Sequence, residues 1–196
     1  MSLLSIEHSP AAYRADFVLY GGAVLGLVAW LAIRGPAGMG LEIAACAAAG
    51  VLAWSAIEYA LHRFVLHGLQ PFKGWHLEHH QHPTALIRAP TLLSASLIGL
   101  LVWLPALMVL GEWLGNALTL GVLIGYLGYG ITHHAMHHGN LKLGWLQRRK
   151  YWHAKHHHLR HPCCFGVTSG FWDHRLRTSH KHRRARVHIP VRRYNG

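Results

Sequence analysis

The chain has 196 residues, enough for one domain of ordinary size, and it is 52% hydrophobic while carrying a formal net charge of +12. These properties belong to different stretches: beyond Gly139 fourteen Lys and Arg face one acid, Asp173, for +13, whereas before it five basic residues and six acids give −1. A basic tail behind long apolar segments obeys the positive-inside rule, so no nucleic-acid partner is expected. The three cysteines, Cys46 and the adjacent Cys163 and Cys164, offer neither a disulfide framework nor a CxxC pair, and read as inert thiols on a reducing side.

Residues 1–16 are polar and mixed in charge, without the basic start or cleavage site of a signal peptide, so the N-terminus is expected to be retained. Four apolar segments follow, over about 17–33, 41–61, 91–110 and 114–131. The second is rich in alanine, with Glu42 near its start and Glu58 near its end. The third contains Pro105, tolerable in a membrane helix when neighbours satisfy the freed carbonyl. Gly111, Glu112 and Trp113 read as a short turn, and Gly121, Gly125 and Gly128 as a packed face of the fourth segment. Residues 139–196 are basic and contain no span.

The expected architecture is all-α, a single membrane domain over 1–196 with four transmembrane helices and a cytosolic, histidine-rich helical cap. Four spans put both termini and every histidine cluster on one side, and the basic tail places that side in the cytoplasm. Trp75, Trp145 and Trp152, beside the clusters, suit an interface.

Three windows hold fifteen of the twenty histidines: EYALHRFVLHG with WHLEHHQHP, then THHAMHH, then WHAKHHHLRH. Each α-helical residue advances about 100°, so HxxHH turns three imidazoles to one side. That applies to His76, His79 and His80, and to His153, His156 and His157; His133 and His137, at i and i+4, also share a face. His62 and His67, at i and i+5, stand about 140° apart on an α-helix and are expected to serve different ions. So many imidazoles exceed the capacity of one ion, which implies a dimetal site. Imidazole suits iron, zinc and copper alike, and no ExxH pair of a soluble di-iron bundle is present.

These residues resemble the integral-membrane fatty acid hydroxylase and sterol desaturase superfamily, whose pattern HxxxxH, HxxHH, HxxxH, HxxHH is matched by HRFVLH, HLEHH, HHAMH and HAKHH. EYALHRFVLH and FGVTSGFWD (165–173) are similar to the fatty acid 2-hydroxylase branch, and the likeness covers about 55–175. The resemblance implies ten metal ligands. His62, His76, His79, His153 and His156 would hold one ion, and His67, His80, His133, His137 and His157 the other. It also implies two irons (zinc being possible in purified protein), O₂ as co-substrate, and hydroxylation of a lipid, most simply a fatty acyl chain. A sterol or carotenoid substrate, desaturation by the same hydrogen abstraction, and a histidine-rich metal transport protein remain alternatives.

Each ligand needs its outer N–H fixed, and Glu58, Glu78, His138 and Asp173 are candidates for that task. His82, His134, His158 and His161 fall outside the pattern and read as the same or as surface residues; His174, His180, His182 and His188 read as solvated. The substrate is expected to enter from the bilayer, with Tyr126, Tyr129, Phe165, Phe171 and Trp172 as candidate channel walls. With three cysteines the chain lacks an iron–sulfur cluster's four thiolates, so electrons are expected from a separate ferredoxin or cytochrome b5-like donor.

Overall fold

A computed structural model describes residues 7–180, and among these it is all-helical apart from one isolated bridge, Glu7 with Ile87. The ends of the expected cap and both termini, with His182 and His188, lie outside the described residues.

Helix α1 (Pro10–Arg34) begins where the Ser9 hydroxyl accepts the Ala12 N–H at 3.2 Å and Pro10 pre-sets the first turn. It ends at Arg34 and Gly35, one basic residue in its last turn. Helix α2 (Gly40–Ala60) runs on without a break into a π-helical segment, Leu61–Leu66. A short α3 (Phe72–Gln81) follows. Helix α4 (Thr91–Ile98) passes through a second π-helical segment, Gly99–Trp103, into α5 (Leu104–His138). That wide turn sits just before Pro105, where the missing N–H and the ring would otherwise strain an α-helix. Helices α6 (Gly144–His158) and α7 (Phe171–Arg175) complete the order.

Among the described residues, three stretches are long and apolar enough to cross a membrane: Pro10–Arg34, Gly40–Leu66 and Thr91–His138. Their outward faces are apolar too, with Ile33 78%, Leu41 81% and Val109 80% exposed, as lipid contact requires and water does not reward. The chain is read as a membrane protein. The third stretch is not straight. Gly111 adopts φ 75°, ψ −179°, and a Cβ on Gly115 would meet the Ala106 backbone at 2.8 Å, so residues nine apart lie side by side. The helix therefore folds back at Gly111, and the indole N–H of Trp103 donates to Asn116 Oδ1 across the reversal at 3.0 Å.

Helices α2 and α5 approach most closely. A Cβ on Gly121 would lie 2.8 Å from the Gly50 Cα, so these two glycines let the backbones touch. Gly125 continues that face beneath Trp54, but Gly128, expected on the same stripe, meets open space. Gly121→Val is accordingly expected to cost about 3 kcal/mol or more through overpacking, while Gly128→Ala is neutral to stabilising by up to ~1 kcal/mol. Thermal unfolding in detergent micelles distinguishes the two, and equal midpoints would contradict this packing.

Candidate metal centre

Four pieces of chain bring their histidines to one end of the bundle: the π-helical end of α2, then α3, the C-terminal turns of α5, and α6. The ten imidazoles of the sequence pattern meet there in two adjoining groups. In the first, His62 Nε2 lies 3.0 Å from His76 Nε2, and His67 Nε2 lies 3.1 Å from His156 Nε2. His80 Nε2 reaches both, at 3.0 Å from His76 and 3.1 Å from His156. In the second, His153 Nε2 is 2.8 Å from His137 Nε2 and 3.1 Å from His157 Nε2, with His79 and His133 in the same cluster.

This grouping corrects the expected division. His67 and His80 stand with His62, His76 and His156, whereas His79 and His153 stand with His133, His137 and His157. The reason for His67 is the π-helix: its hydrogen bonds run from i to i+5, so residues five apart come into line rather than 140° apart. Both HxxHH motifs straddle the groups, α3 sending His76 and His80 one way and His79 the other. His156 of α6 likewise parts from His153 and His157.

The ring nitrogens are sorted in a way that suits metal. The Nδ1–H of His62 donates to the Phe165 carbonyl at 2.5 Å, and that of His156 to the Cys163 carbonyl at 2.8 Å. With the outer nitrogen donating, Nε2 turns a lone pair inward. Crowded Nε2 atoms facing one another have too few protons to satisfy themselves, and both nitrogens of buried His79 lack any hydrogen-bond partner. In each group the donor atoms of the four or five clustered residues lie within 4.8 Å of one another, close to the span across an ion with Zn–N-like bonds of about 2.0–2.1 Å. The residues fit a metal pair.

Electrostatics agree. Burial, reinforced by neighbouring imidazoles, holds His67 and His80 down to about 4 and His79 and His156 down to about 3. His76 and His153 are likewise held well below the ordinary value of 6.5, burial again the first cause. These rings stay neutral at neutral pH, the form a metal needs. Between those values and 6.5 the unfolded chain binds protons that the folded, metal-free protein does not. Its stability is therefore expected to fall as pH falls from about 6.5 to about 4, and to be flat with respect to these groups above about 7. Thermal midpoints of metal-stripped protein across that range provide the check, and a flat acid limb would contradict the assignment.

The loop 163–168 supplies the two carbonyls, and three buried side chains hold it. Glu58 Oε1 accepts the Val167 N–H at 2.6 Å and the Thr168 N–H at 3.0 Å, and Glu58 Oε2 accepts the Thr168 hydroxyl at 2.6 Å. Asp173 accepts the N–H groups of Phe165 and Gly166, each at 2.8 Å, and the Thr178 hydroxyl at 2.7 Å. Arg149 donates from Nε to the Val167 carbonyl at 2.9 Å and from Nη2 to the Gly166 carbonyl. Glu58 and Asp173 thus fix backbone rather than imidazole, one layer further from the metal site than expected. Arg149 has no counterpart in the sequence reading; its place in α6, one turn before His153, is the only signal that precedes the structure.

Two candidates make no hydrogen bond to any of the ten imidazoles. Glu78 is half exposed, its Oε1 2.9 Å from His82 Nδ1. His138 is exposed and stacks on His134, ring centroids 4.7 Å apart. His134 itself shares a hydrogen bond of 3.2 Å with the Tyr13 hydroxyl.

On its membrane side the histidine assembly opens onto a cavity of about 220 Å³. Its walls include Leu61, Val65, Leu93 and Leu97, and His62, His76, His79 and His133 reach its lining. Tyr126 and Tyr129 line it, as expected. Phe165 packs instead on the rings of His62, His67 and His156, Trp172 donates to the Ser55 hydroxyl at 3.2 Å, and Phe171 is exposed.

The profile of the fatty acid hydroxylase family matches residues 47–178, which contain all ten histidines and the loop that braces them. The chain belongs to the fatty acid hydroxylase family. Within it, a dihydroceramide fatty acyl 2-hydroxylase, FAH2, of Arabidopsis thaliana is 34% identical over 143 residues, 67% of this chain and 59% of the relative. A fatty acid 2-hydroxylase of Macaca fascicularis is 32% identical over 142 residues, 66% of this chain and 38% of the relative. This chain therefore spans little more than half of the plant hydroxylase and well under half of the primate one. Among solved structures, "full length scs7p (only hydroxylase domain visible)" superposes with a TM-score of 0.69 at 25% identity, over 86% of this chain and 66% of that one.

Proposed function

We propose that the chain is a membrane-bound, O₂-dependent di-iron hydroxylase acting on a fatty acyl chain beside its carbonyl, as the names of its 2-hydroxylase relatives suggest. The observation that carries the reading is the opening of a mostly apolar, membrane-side cavity onto two groups of buried and half-buried imidazoles. The ten histidines are the proposed ligands, in the two groups described above. When bound, an iron pair supplies O₂ activation and hydrogen abstraction; zinc, which has no redox chemistry, would occupy the same nitrogens silently.

The protein's own part is positional. Leucine and valine walls receive an alkyl chain and exclude water. The Phe165 and Cys163 carbonyls keep the protons of His62 and His156 on Nδ1. The reversal at Gly111 and the basic C-terminal residues support a single domain that crosses the bilayer four times with its histidine end in the cytoplasm. Electrons come from a separate ferredoxin or cytochrome b5-like protein, for which the basic C-terminal sequence is a suitable dock.

Lipid mass spectrometry on cells expressing the chain, beside cells expressing His79→Ala, tests the reading. Acyl species heavier by one oxygen, absent from the variant, are the expected result. Loss of two hydrogens instead would make it a desaturase. Unchanged lipids from iron-loaded protein supplied with a reductase would exclude the acyl assignment, and protein that binds no metal would overturn the whole reading.

A further inference from the structure

One guanidinium lines the cavity, and the histidine assembly does not use it. Arg88 precedes α4, and its backbone is tied to the N-terminal segment: the His8 ring nitrogen bonds to its carbonyl at 3.2 Å, and the His8 N–H donates to the Leu86 carbonyl at 3.0 Å. Its side chain is 12% exposed, and Nη2 lies 3.0 Å from Asp16 Oδ2 of α1. The Phe17 ring lies beneath its plane, 4.7 Å from Cζ to the ring centre. Asp16 is held in turn by the Thr91 hydroxyl at 2.8 Å. Nη1, by contrast, is buried and has no hydrogen-bond partner of ordinary geometry, although the Tyr13 and Tyr126 rings stand 5.6 and 5.9 Å from Cζ. An unused donor on a buried cation is costly to maintain and calls for a ligand.

Its position is specific. A Cβ on Gly130 would meet Arg88 Nη2 at 2.9 Å, so the guanidinium rests on α5 where a bare glycine leaves it room. Gly130 lies three residues, about one helical turn, before His133 on α5, and Arg88 and His133 line the same cavity. An oxygen bonded to Nη1 would hold the adjoining carbons next to the imidazoles.

We infer that Arg88 is a specificity-determining residue that donates from Nη1 to the neutral carbonyl oxygen of an N-acyl amide, setting the carbon next to that carbonyl against the metal site. The inference deepens, and rests on, the acyl hydroxylase reading. Charge selects the amide over the free acid: Asp16 already neutralises Arg88, so a carboxylate would leave an uncompensated negative charge buried beside Asp16. A neutral carbonyl needs only the donor.

Arg88→Met alone leaves Asp16 buried and unpaired, which endangers folding, so the test uses Arg88→Met together with Asp16→Asn, checked for metal content and thermal midpoint against wild type. The probes are N-hexadecanoylethanolamine, hexadecanoate and heptadecane, bound to the full chain in micelles. Wild type is expected to prefer the amide to the acid. The double variant is expected to lose about ten- to a hundredfold in affinity for the amide while binding heptadecane, which has no acceptor, as wild type does. Turnover adds a second readout: product hydroxylated next to the carbonyl should give way to product hydroxylated further along the chain. Undiminished amide binding, equal weakening toward heptadecane, or tighter wild-type binding of hexadecanoate would each overturn the inference. Wild-type protein that binds the amide through Arg88 yet hydroxylates nothing would sink the hydroxylase reading and leave the carbonyl contact standing.

Discussion

On the proposed reading, His156→Ala is expected to abolish hydroxylation and lower bound metal from two ions toward one. The ring is among the most deeply buried side chains of the molecule, its Nε2 meets those of His67 and His80, and its Nδ1 is anchored on Cys163. Alanine there removes a ligand and leaves the Cys163 carbonyl without its donor. Metal counting across pairs of substitutions then tests the grouping itself. His67→Ala added to His156→Ala should remove little further metal, because both strip one site; His133→Ala added to His156→Ala should remove nearly all of it. Residues that act as a unit give this non-additive pattern, and independent sites add. The division implied by family resemblance predicts that both pairs remove nearly all of it, since there His67 and His133 share one ion while His156 serves the other, so the His67 arm decides. Iron per protein after anaerobic loading is the deciding measurement.

Glu58→Ala is expected to be nearly as damaging, although its carboxylate touches no histidine. Three donors converge on it, and removing it leaves the N–H groups of Val167 and Thr168 and the Thr168 hydroxyl unsatisfied in a buried loop. The expected loss is about 3 kcal/mol or more of stability, with metal affinity lowered some 10–100-fold as the carbonyl on His62 loses its place. Glu58→Gln keeps one acceptor and should recover much of both. Metal titration alongside thermal unfolding separates the two effects. Wild-type metal affinity in a folded Glu58→Ala protein would show that the loop does not orient the ligands.

Much of this centre is legible in the chain because imidazoles at i, i+3 and i+4 have few reasons to exist on a membrane-edge helix other than metal binding. The apolar segments are equally plain, their lengths being set by the bilayer. What escaped has identifiable causes. The π-helix at Leu61–Leu66 reverses the angular argument for His62 and His67, and a widened turn leaves no mark in hydrophobic periodicity. The roles of Glu58 and Asp173 depend on a loop more than a hundred residues beyond Glu58, so an acid one turn before a histidine reads naturally, and wrongly, as that histidine's partner. Arg149 looks like one more basic tail residue because its burial arises only when α6 folds over the same loop. Gly128 shows the opposite failure, a regular spacing with nothing packed against it.

The way each HxxHH motif divides its histidines has a further consequence. With the ten histidines as proposed ligands, helices α3 and α6 are two ties that each reach both metal positions, so neither position would adjust alone. An ion captured at one helps shape the other, so the ion that remains after His156→Ala should be held more weakly than either ion of the pair. The same mechanical linkage makes contamination treacherous: a single zinc would stiffen the neighbouring pocket and raise heat resistance as iron does, yet leave the protein silent. Preparations sorted by thermal stability alone would favour such poisoned molecules.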